Sequence, residues 1–220
     1  MTAPGPRPSG PGRVPAAAEG PALAQARTTA VEAAIGAYDI RGRIPDELDE
    51  DILFALGWAT ATTMAELHST AEVVIGHDMR PSSPGFARAF AAGVDAAGAT
   101  ATLLGLCSTD QLYFASGIFG VPGAMITASH NPADYNGIKI CGPHAAGVSL
   151  TTGLSRIREL APTAPAVADR TVELAASAAA DMRDLYVRRV RELTHVDDVT
   201  GLTVVLDAGD RKSTRLNSSH

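Results

Sequence analysis

The chain is organised around residues 125–141, which read Met-Ile-Thr-Ala-Ser-His-Asn-Pro-Ala-Asp-Tyr-Asn-Gly-Ile-Lys-Ile-Cys. A short apolar run at residues 123–126 leads into a polar loop at 127–132. Pro132 ends the strand there, because proline has no N–H group to offer to a sheet ladder. The sequence therefore predicts an exposed polar loop at the end of a buried strand.

The second half of this stretch predicts a turn and a returning strand. Asn136-Gly137 is typical of a tight turn, and residues 138–140 then alternate with period two, so that Lys139 points away from the face shared by its two isoleucine neighbours. A hydroxyl, an imidazole and an ammonium group can thus meet at one end of a sheet. Of these three groups, only the Ser129 hydroxyl could carry a covalent group on oxygen, while His130 and Lys139 could move protons or neutralise charge.

The composition of the 220-residue chain narrows the possible functions. Apolar residues make up 45% of it, enough for a real core, and its formal net charge of −6 argues against a nucleic-acid partner. Cys107 and Cys141 lack the spacing of metal ligands, which predicts reduced thiols and a cytoplasmic protein. No stretch of about 18 apolar residues is present, so we expect neither membrane insertion nor secretion.

Strand and helix signals alternate along the chain. We expect a helix starting near residues 45–46, strands at 72–76 and 100–104, and helices at 85–97, after Ser108, at 150–160 and at 175–193. Such alternation favours a largely parallel sheet with helices on both faces. Ligands of such sheets lie outside the carboxyl ends of the strands, which is where the polar loop is expected.

Four segments are expected along the chain. Residues 1–28 are rich in proline and glycine and should form a disordered tail. Residues 29–165 should form the first domain, because a proline-containing run breaks its last helix. Residues 166–209 should supply a linker helix and the first strand of a second α/β domain. The polar tail at 210–220 cannot bury enough surface to become ordered, and we expect it to be an artefact of a truncated gene sequence.

Two stretches carry a resemblance to a known family. Thr-Ala-Ser-His-Asn-Pro at 127–132, followed by Asn-Gly-Ile-Lys at 136–139, resembles the phosphoserine loop of the α-D-phosphohexomutases, the phosphomannomutase and phosphoglucomutase family. Tyr-Asp-Ile-Arg-Gly at 38–42 is similar to the opening motif of these enzymes. The resemblance extends over residues 37–207.

A third stretch matches the same family. Gly-His-Asp-Met-Arg-Pro-Ser-Ser at 76–83 is similar to a family motif, and we take its Asp78 and Arg80 to be bracing residues behind the phosphoserine loop. His77 within it is expected to be a packed or surface histidine, because no second metal ligand lies at a usable spacing.

The resemblance implies a three-layer αβα fold with a mixed, largely parallel sheet, the first domain of a phosphohexomutase, followed by the start of a second, similar domain. It implies an enzyme that interconverts the 6-phosphate and 1-phosphate of mannose or glucose through a phosphoserine and a hexose 1,6-bisphosphate. The residues implied as catalytic are Ser129, His130, Lys139 and Arg41, and those implied as substrate-binding are Tyr38, Arg41, Asn131 and Lys139.

The resemblance also implies cofactors and a partner. A Mg²⁺ ion would be bound through the phosphate on Ser129, and hexose 1,6-bisphosphate would act as activator. The family's Asp-Gly-Asp-x-Asp metal loop is not in the sequence, so we expect the 220 residues to be inactive alone. The expected partner is a sugar phosphate, with no nucleic acid or membrane, and the oligomeric state is left open.

Other interpretations remain open at this point. Ser-His-Asn-Pro also suits an ordinary turn, and Asp39 and Arg41 could simply pair on the surface. The domain could bind a sugar phosphate without catalysing a reaction. A serine hydrolase using Ser129 and His130 has less support, because adjacent residues on an extended loop point apart and no Gly-x-Ser-x-Gly elbow is present.

Overall fold

The computed structural model describes residues 21–165 and 178–195, together with positions 198, 200, 201, 203 and 205. The helices are α1 Pro21–Ala34, α2 Glu50–His68, α3 Ser83–Ala96, α4 Thr109–Phe119, α5 Leu154–Leu160 and α6 Ala178–Thr194. The strands are β1 Ile40–Arg43, β2 Glu72–His77, β3 Thr100–Leu106, β4 Gly123–Ile126, β5 Tyr135–Gly142 and β6 Ala146–Gly147. Short 3₁₀ turns lie at Pro143–Ala145, Leu150–Thr152 and Ala161–Thr163.

The strands form one mixed sheet in the order β1-β5-β4-β2-β3, with β6 added to β5. Strand β2 runs parallel to both β3 and β4, whereas β5 runs antiparallel to β4, β1 and β6. The parallel half is built from strand–helix–strand units and the antiparallel half from a loop that returns β5 alongside β4. The carboxyl ends of β2, β3 and β4 therefore share one edge of the sheet.

Helices cover both faces, which gives the three-layer αβα arrangement expected from the sequence. Alternate residues of β2 separate the two cores: Val73 and Ile75 pack in the larger cluster with α2 and α3, and Val74 packs in a smaller one. The smaller cluster also contains Leu112 of α4 and Met182 of α6. No helix in the described ranges is both long and apolar enough to cross a bilayer.

Helices α2 and α3 approach each other closely because glycine lies at two contact points. A Cβ atom on Gly57 would lie 2.1 Å from the backbone oxygen of Phe90, and one on Gly93 would lie 2.0 Å from the backbone oxygen of Phe54. These distances are far below a van der Waals contact. Any larger residue at either position must push the two helices apart.

Several element boundaries differ from the sequence prediction. The second helix begins at Glu50 rather than near residues 45–46, because the side chain of Asp49 caps it by accepting from the Ile52 N–H group. The helix expected at 150–160 is interrupted at Gly153, whose φ is 156°, and α5 begins only after it. Other shifts within the described residues are one or two residues, the usual uncertainty of element ends.

The prediction that Asn136-Gly137 forms a turn is wrong. Both residues lie within β5, where they pair with Gly42 and Arg41 of β1. Asn136 is fully buried, and its amide donates to two serine hydroxyl groups. A Cβ atom on Gly137 would lie 2.2 Å from the Ile40 carbonyl oxygen, so glycine serves the close approach of two strands here and not a turn.

The N-terminal segment 1–28, which the sequence predicted to be disordered, is helical over its last eight residues. Residues 21–28, assigned to a disordered tail by composition, begin α1. Arg27 anchors this helix, since its side chain is buried and donates to the Ala164 carbonyl oxygen over 3.1 Å. Residues 1–20, most of the expected first strand of a second domain, and the tail at 210–220 lie outside the described residues.

Candidate active site

Ser129 lies at the carboxyl end of β4 and is exposed, as is its neighbour His130. Its φ is 56°, and the Asn131 N–H donates to the Ala128 carbonyl oxygen over 3.1 Å. Ser129 is thus the first central residue of a tight turn, a position with positive φ at which type II′ turns favour glycine. A left-handed conformation costs an L-residue about 1–2 kcal/mol. Such strain is typical of functional positions, and the surrounding structure must maintain it.

Arg80 is the main support of the loop. Its Nη1 atom donates to the carbonyl oxygens of Pro132 and Tyr135, over 2.6 and 2.9 Å. Its Nη2 atom donates to those of Ser129 and Asn131, over 3.0 and 2.7 Å, and its Nε to Asp78 over 3.2 Å.

These bonds use all five N–H donors of the Arg80 guanidinium group. The prediction that Asp78 and Arg80 brace the loop is therefore confirmed. Because no donor of Arg80 is left over, this arginine holds backbone rather than contacting a phosphate.

Arg41 reaches the same loop from β1. Its Nη1 atom donates to the Ala128 carbonyl oxygen over 3.2 Å and to Asn131 Oδ1 over 2.6 Å. A guanidinium group only donates, so the Asn131 oxygen faces Arg41 and its NH₂ group is directed elsewhere. The Arg41 Nη2 group donates to no other group in the part of the chain that the structure describes. Two N–H donors of Arg41 are therefore available to an anion.

Asp39 joins the two cations of the site. Its Oδ2 atom accepts from Arg41 Nε over 2.9 Å and lies 3.5 Å from Lys139 Nζ. All three side chains are partly buried, with exposed fractions of 26% for Arg41, 31% for Lys139 and 23% for Asp39. The three residues together carry one net positive charge. The surface pairing of Asp39 with Arg41, weighed from the sequence as an alternative to anion binding, is therefore present beside the loop.

The remaining predicted site residues contribute less to this arrangement. Tyr38 precedes β1 with 76% of its surface exposed, and His130 points into solvent beside Ser129. Neither side chain forms a hydrogen bond or ion pair with the residues that the structure describes. His77 is partly buried, and its Nδ1 atom lies 2.8 Å from the Asp78 carbonyl oxygen, in keeping with a packed histidine.

Two supporting residues were missed by sequence reasoning. Thr127 is 6% exposed, donates to Asp78 Oδ2 over 2.7 Å, and accepts from the Ser129 N–H over 2.9 Å. Asn136 donates to the hydroxyl groups of Ser82 and Ser83, and Ser83 donates to Asp78 in turn. Thr127 directly follows β4 and Asn136 lies within β5, but only their long-range partners show what these polar side chains do.

The two cysteines lie away from this chemistry. Both are free, and burial raises the pKa of the Cys107 thiol to about 11 and also raises the pKa of Cys141. These thiols stay protonated near neutral pH and are poor nucleophiles. No group of three or more His, Cys, Asp or Glu side chains with the geometry of a metal site occurs among the described residues.

The fold and the loop together define a class of protein. It is an αβα domain that presents a strained, exposed serine and two cationic side chains beside the carboxyl end of a parallel strand. Residues 32–164 match the family model of the phosphoglucomutase/phosphomannomutase alpha/beta/alpha domain I. The chain belongs to the phosphoglucomutase/phosphomannomutase family, as the sequence resemblance predicted.

Relatives and solved structures agree with this assignment. A protein of Xanthomonas campestris pv. campestris (strain B100), named as phosphohexose mutases, is 38% identical over 180 residues, which are 80% of this chain and 38% of the relative. A phosphomannomutase of Salmonella typhimurium (strain LT2) is 35% identical over 175 residues, which are 79% of this chain and 38% of the relative. This chain thus spans about 38% of the length of these curated relatives.

The fold is shared with solved structures as well. A crystal structure from Thermus thermophilus, provisionally named phosphomannomutase, superposes with a TM-score of 0.63 at 28% identity, over 72% of this chain and 35% of that one. A phosphoglucomutase/phosphomannomutase family protein from Burkholderia thailandensis gives a TM-score of 0.53 at 30% identity, over 58% of this chain and 29% of that one.

Proposed function

We propose that this chain is the serine-bearing domain of a phosphohexomutase that interconverts the 6-phosphate and 1-phosphate of mannose, glucose or both. The observation that carries the proposal is the geometry of Ser129. This serine stands exposed in a turn where glycine is favoured, and Arg80 uses all its donors in holding that turn. Strained residues of this kind cluster at active sites, and the exposure of the Ser129 hydroxyl group beside two cationic side chains supports a chemical role for it.

In the proposed reaction, Ser129 carries a phosphoryl group and passes it to a sugar monophosphate. The bond between phosphorus and Ser129 Oγ breaks as a bond to the sugar hydroxyl oxygen forms. The sugar hydroxyl proton moves to a base, and the departing Ser129 oxygen takes up a proton to become a hydroxyl group. His130 is exposed beside Ser129 and is able to take the sugar hydroxyl proton. The hexose 1,6-bisphosphate then returns its other phosphoryl group to Ser129, which restores the phosphoserine.

The side chains around Ser129 suit the charge that this reaction handles. Phosphoryl transfer depends chiefly on positioning and on neutralising the equatorial oxygens. Arg41 Nη2 and the Asn131 NH₂ group offer N–H donors, and Lys139 adds a positive charge while Asp39 holds both cations in place. Tyr38, close to Arg41 along the chain, is suited to contact the sugar. This arrangement favours a phosphate ligand over the ester substrate of a hydrolase, for which His130 has no acid partner in the described residues.

We also propose a Mg²⁺ ion, for which the described residues supply only part of the ligand set. A hard divalent cation takes oxygen ligands, most often several carboxylates. The described part of the chain contains no cluster of three such groups, so Ser129 through its phosphate is the only ligand that we assign. The cytoplasm is the proposed location, since both cysteines are free thiols.

The test is incubation of the purified chain with hexose 1,6-bisphosphate labelled in its phosphates. We expect acid-stable label on Ser129, no label in Ser129→Ala, and unchanged folding of that variant, because an exposed hydroxyl group contributes little to packing. Ser155→Ala is the matched control, since Ser155 is an exposed serine in α5. A wild-type chain that binds the bisphosphate but never takes up label would show a binding module and refute the proposed function.

A further inference from the structure

Ser129 holds a backbone conformation that serine does not favour, and neighbouring groups have to maintain it. On its N-terminal side, the Ser129 N–H donates to Thr127 Oγ1, and the Ala128 carbonyl oxygen accepts from the Asn131 N–H. On its C-terminal side, the Ser129 carbonyl oxygen accepts from Arg80 Nη2. The orientations of the two flanking peptide groups determine φ and ψ of the residue between them. These bonds therefore set the direction of the Cα–Cβ bond that carries the seryl oxygen.

The hydrogen bonds of Thr127 have a fixed direction. Its Oγ1 atom lies 2.7 Å from Asp78 Oδ2 and 2.9 Å from the Ser129 nitrogen. A carboxylate only accepts, so the hydroxyl proton lies toward Asp78 and a lone pair faces the Ser129 N–H. Thr127 is 6% exposed, which leaves water little access to replace either bond.

Asp78 is held as firmly as the group that it orients. Its Oδ1 atom accepts from the Arg80 backbone N–H over 3.0 Å and from the Ser83 hydroxyl group over 2.6 Å. Its Oδ2 atom accepts from Arg80 Nε as well as from Thr127. One carboxylate thus fixes both the arginine that binds the Ser129 carbonyl oxygen and the threonine that binds the Ser129 amide.

We propose that Thr127 is a positioning residue for Ser129. Its hydroxyl group, oriented by Asp78, holds the Ser129 amide and so keeps the seryl oxygen turned outward for phosphoryl transfer. The conformational part of this inference stands on the hydrogen bonds alone, and the catalytic part rests on the proposed function.

The same geometry decides which groups can meet a phosphate on Ser129. The Ser129 N–H is already engaged by Thr127 and is directed into the loop. It therefore cannot donate to a phosphate on its own side chain, although such local contacts are common where N–H groups stand free at a turn. The side chains of Arg41, Asn131 and Lys139 are available to meet the phosphate charge.

Two substitutions at the same position separate the hydroxyl group from the shape of the side chain. Thr127→Val keeps the branched shape and loses the hydroxyl group, whereas Thr127→Ser keeps the hydroxyl group. Amide hydrogen exchange of Ser129, followed by NMR in the 220-residue chain, is the first readout. We expect exchange about tenfold faster in the valine variant, the factor that corresponds to one net hydrogen bond, and near wild-type exchange in the serine variant.

Amides of α2 serve as the internal control, because a general loss of stability would speed their exchange as well. Equal protection of Ser129 in wild type and the valine variant, or equal loss in both variants, would overturn the positioning role.

The second readout is the rate at which labelled hexose 1,6-bisphosphate transfers label to Ser129. We expect the valine variant to label about tenfold more slowly at saturating bisphosphate, with the half-saturating concentration unchanged and serine restoring the rate. Wild-type labelling speed in the valine variant would refute the catalytic part. If the wild-type chain itself takes no label, the proposed function fails, and amide exchange alone decides whether Thr127 positions Ser129.

Discussion

Replacement of Gly57 by alanine tests whether close backbone contact holds the two core helices together. Two effects with opposite signs compete. Alanine in a helix interior is favoured over glycine by about 0.5–1 kcal/mol, which would raise the free energy of unfolding. Against this, the new Cβ atom would lie 2.1 Å from the Phe90 backbone oxygen and 2.8 Å from its carbonyl carbon. The Phe90 backbone atoms and the new Cβ atom are fixed to their helices, so the clash is relieved only if the two helices move apart.

The magnitude follows from the separation that the contact demands. The helices must part by about 1 Å, and a gap of that size forfeits roughly a quarter to a half of the dispersion energy across it. Phe90 is fully buried and Phe54 is 5% exposed, and complete loss of such a side chain's packing costs about 3–5 kcal/mol. The partial loss is then about 2–4 kcal/mol, and the net destabilisation after the helix-propensity gain is about 1–3.5 kcal/mol.

Urea unfolding provides the assay, because Trp58 is the chain's single tryptophan and lies next to the substituted position. With a slope of about 2 kcal/mol per molar urea, the midpoint should fall by about 0.5–2 M. Gly117→Ala in α4 is the matched control, since a Cβ atom there meets nothing within 4 Å, and it should leave stability unchanged or slightly raised. A Gly57→Ala variant as stable as wild type, or an equal loss in the control, would refute the packing argument.

Three further outcomes are expected. Arg80→Lys should speed amide exchange in the loop at 128–135 and lower the thermal unfolding midpoint, because lysine cannot form five planar hydrogen bonds. Arg156→Lys is the control and should change little, since Arg156 forms an exposed ion pair with Glu66. Equal effects of the two substitutions would contradict the bracing role. Native Cys107 should be alkylated slowly at pH 9 and faster only toward pH 11, as followed by mass spectrometry. Since its pKa is raised to about 11 by burial, the folded state keeps a proton that the unfolded state loses, and stability should fall from pH 9 to 11, less so in Cys107→Ala. The 220 residues alone should label Ser129 in one slow transfer from the bisphosphate but should not interconvert hexose 1- and 6-phosphates at an enzyme-like rate in a coupled assay. Two phosphates bring roughly −3 to −4 charges against one net positive charge from Asp39, Arg41 and Lys139, which slows every transfer. Turnover at an enzyme-like rate would contradict this expectation.

Much of the fold could be predicted because its signals are local. The alternation of strands and helices indicates the αβα class, and Ser108 with Gln111 forms the expected capping box at the start of α4. The alternation at 138–140 places Ile138 and Ile140 in the core and leaves Lys139 partly exposed, as period two requires. Each of these features depends on residues a few positions apart, so the chain needs no distant partner to specify it.

The turn wrongly predicted at Asn136-Gly137 shows where local sequence signals fail. The pair has the composition of a hairpin turn, yet strand β1 lies against it and the buried amide of Asn136 finds serine hydroxyl groups more than fifty residues earlier in the sequence. Burial of a hydrogen-bonded amide and close pairing of two strands outweigh a turn preference, and neither is visible in a short window of sequence.

The candidate active site likewise has features that local sequence predicts and features that depend on the tertiary structure. The sequence by itself determined which residues could do chemistry, since the run from Thr127 to Pro132 and its resemblance single out Ser129. Only the tertiary structure decided how they act together: Asp39 joins two cations, Asn136 binds two serine hydroxyl groups, and Thr127 holds the serine amide. The reason is physical, because the direction of a hydrogen bond depends on where distant strands bring donor and acceptor, and the sheet order that does so arises only when the whole domain packs.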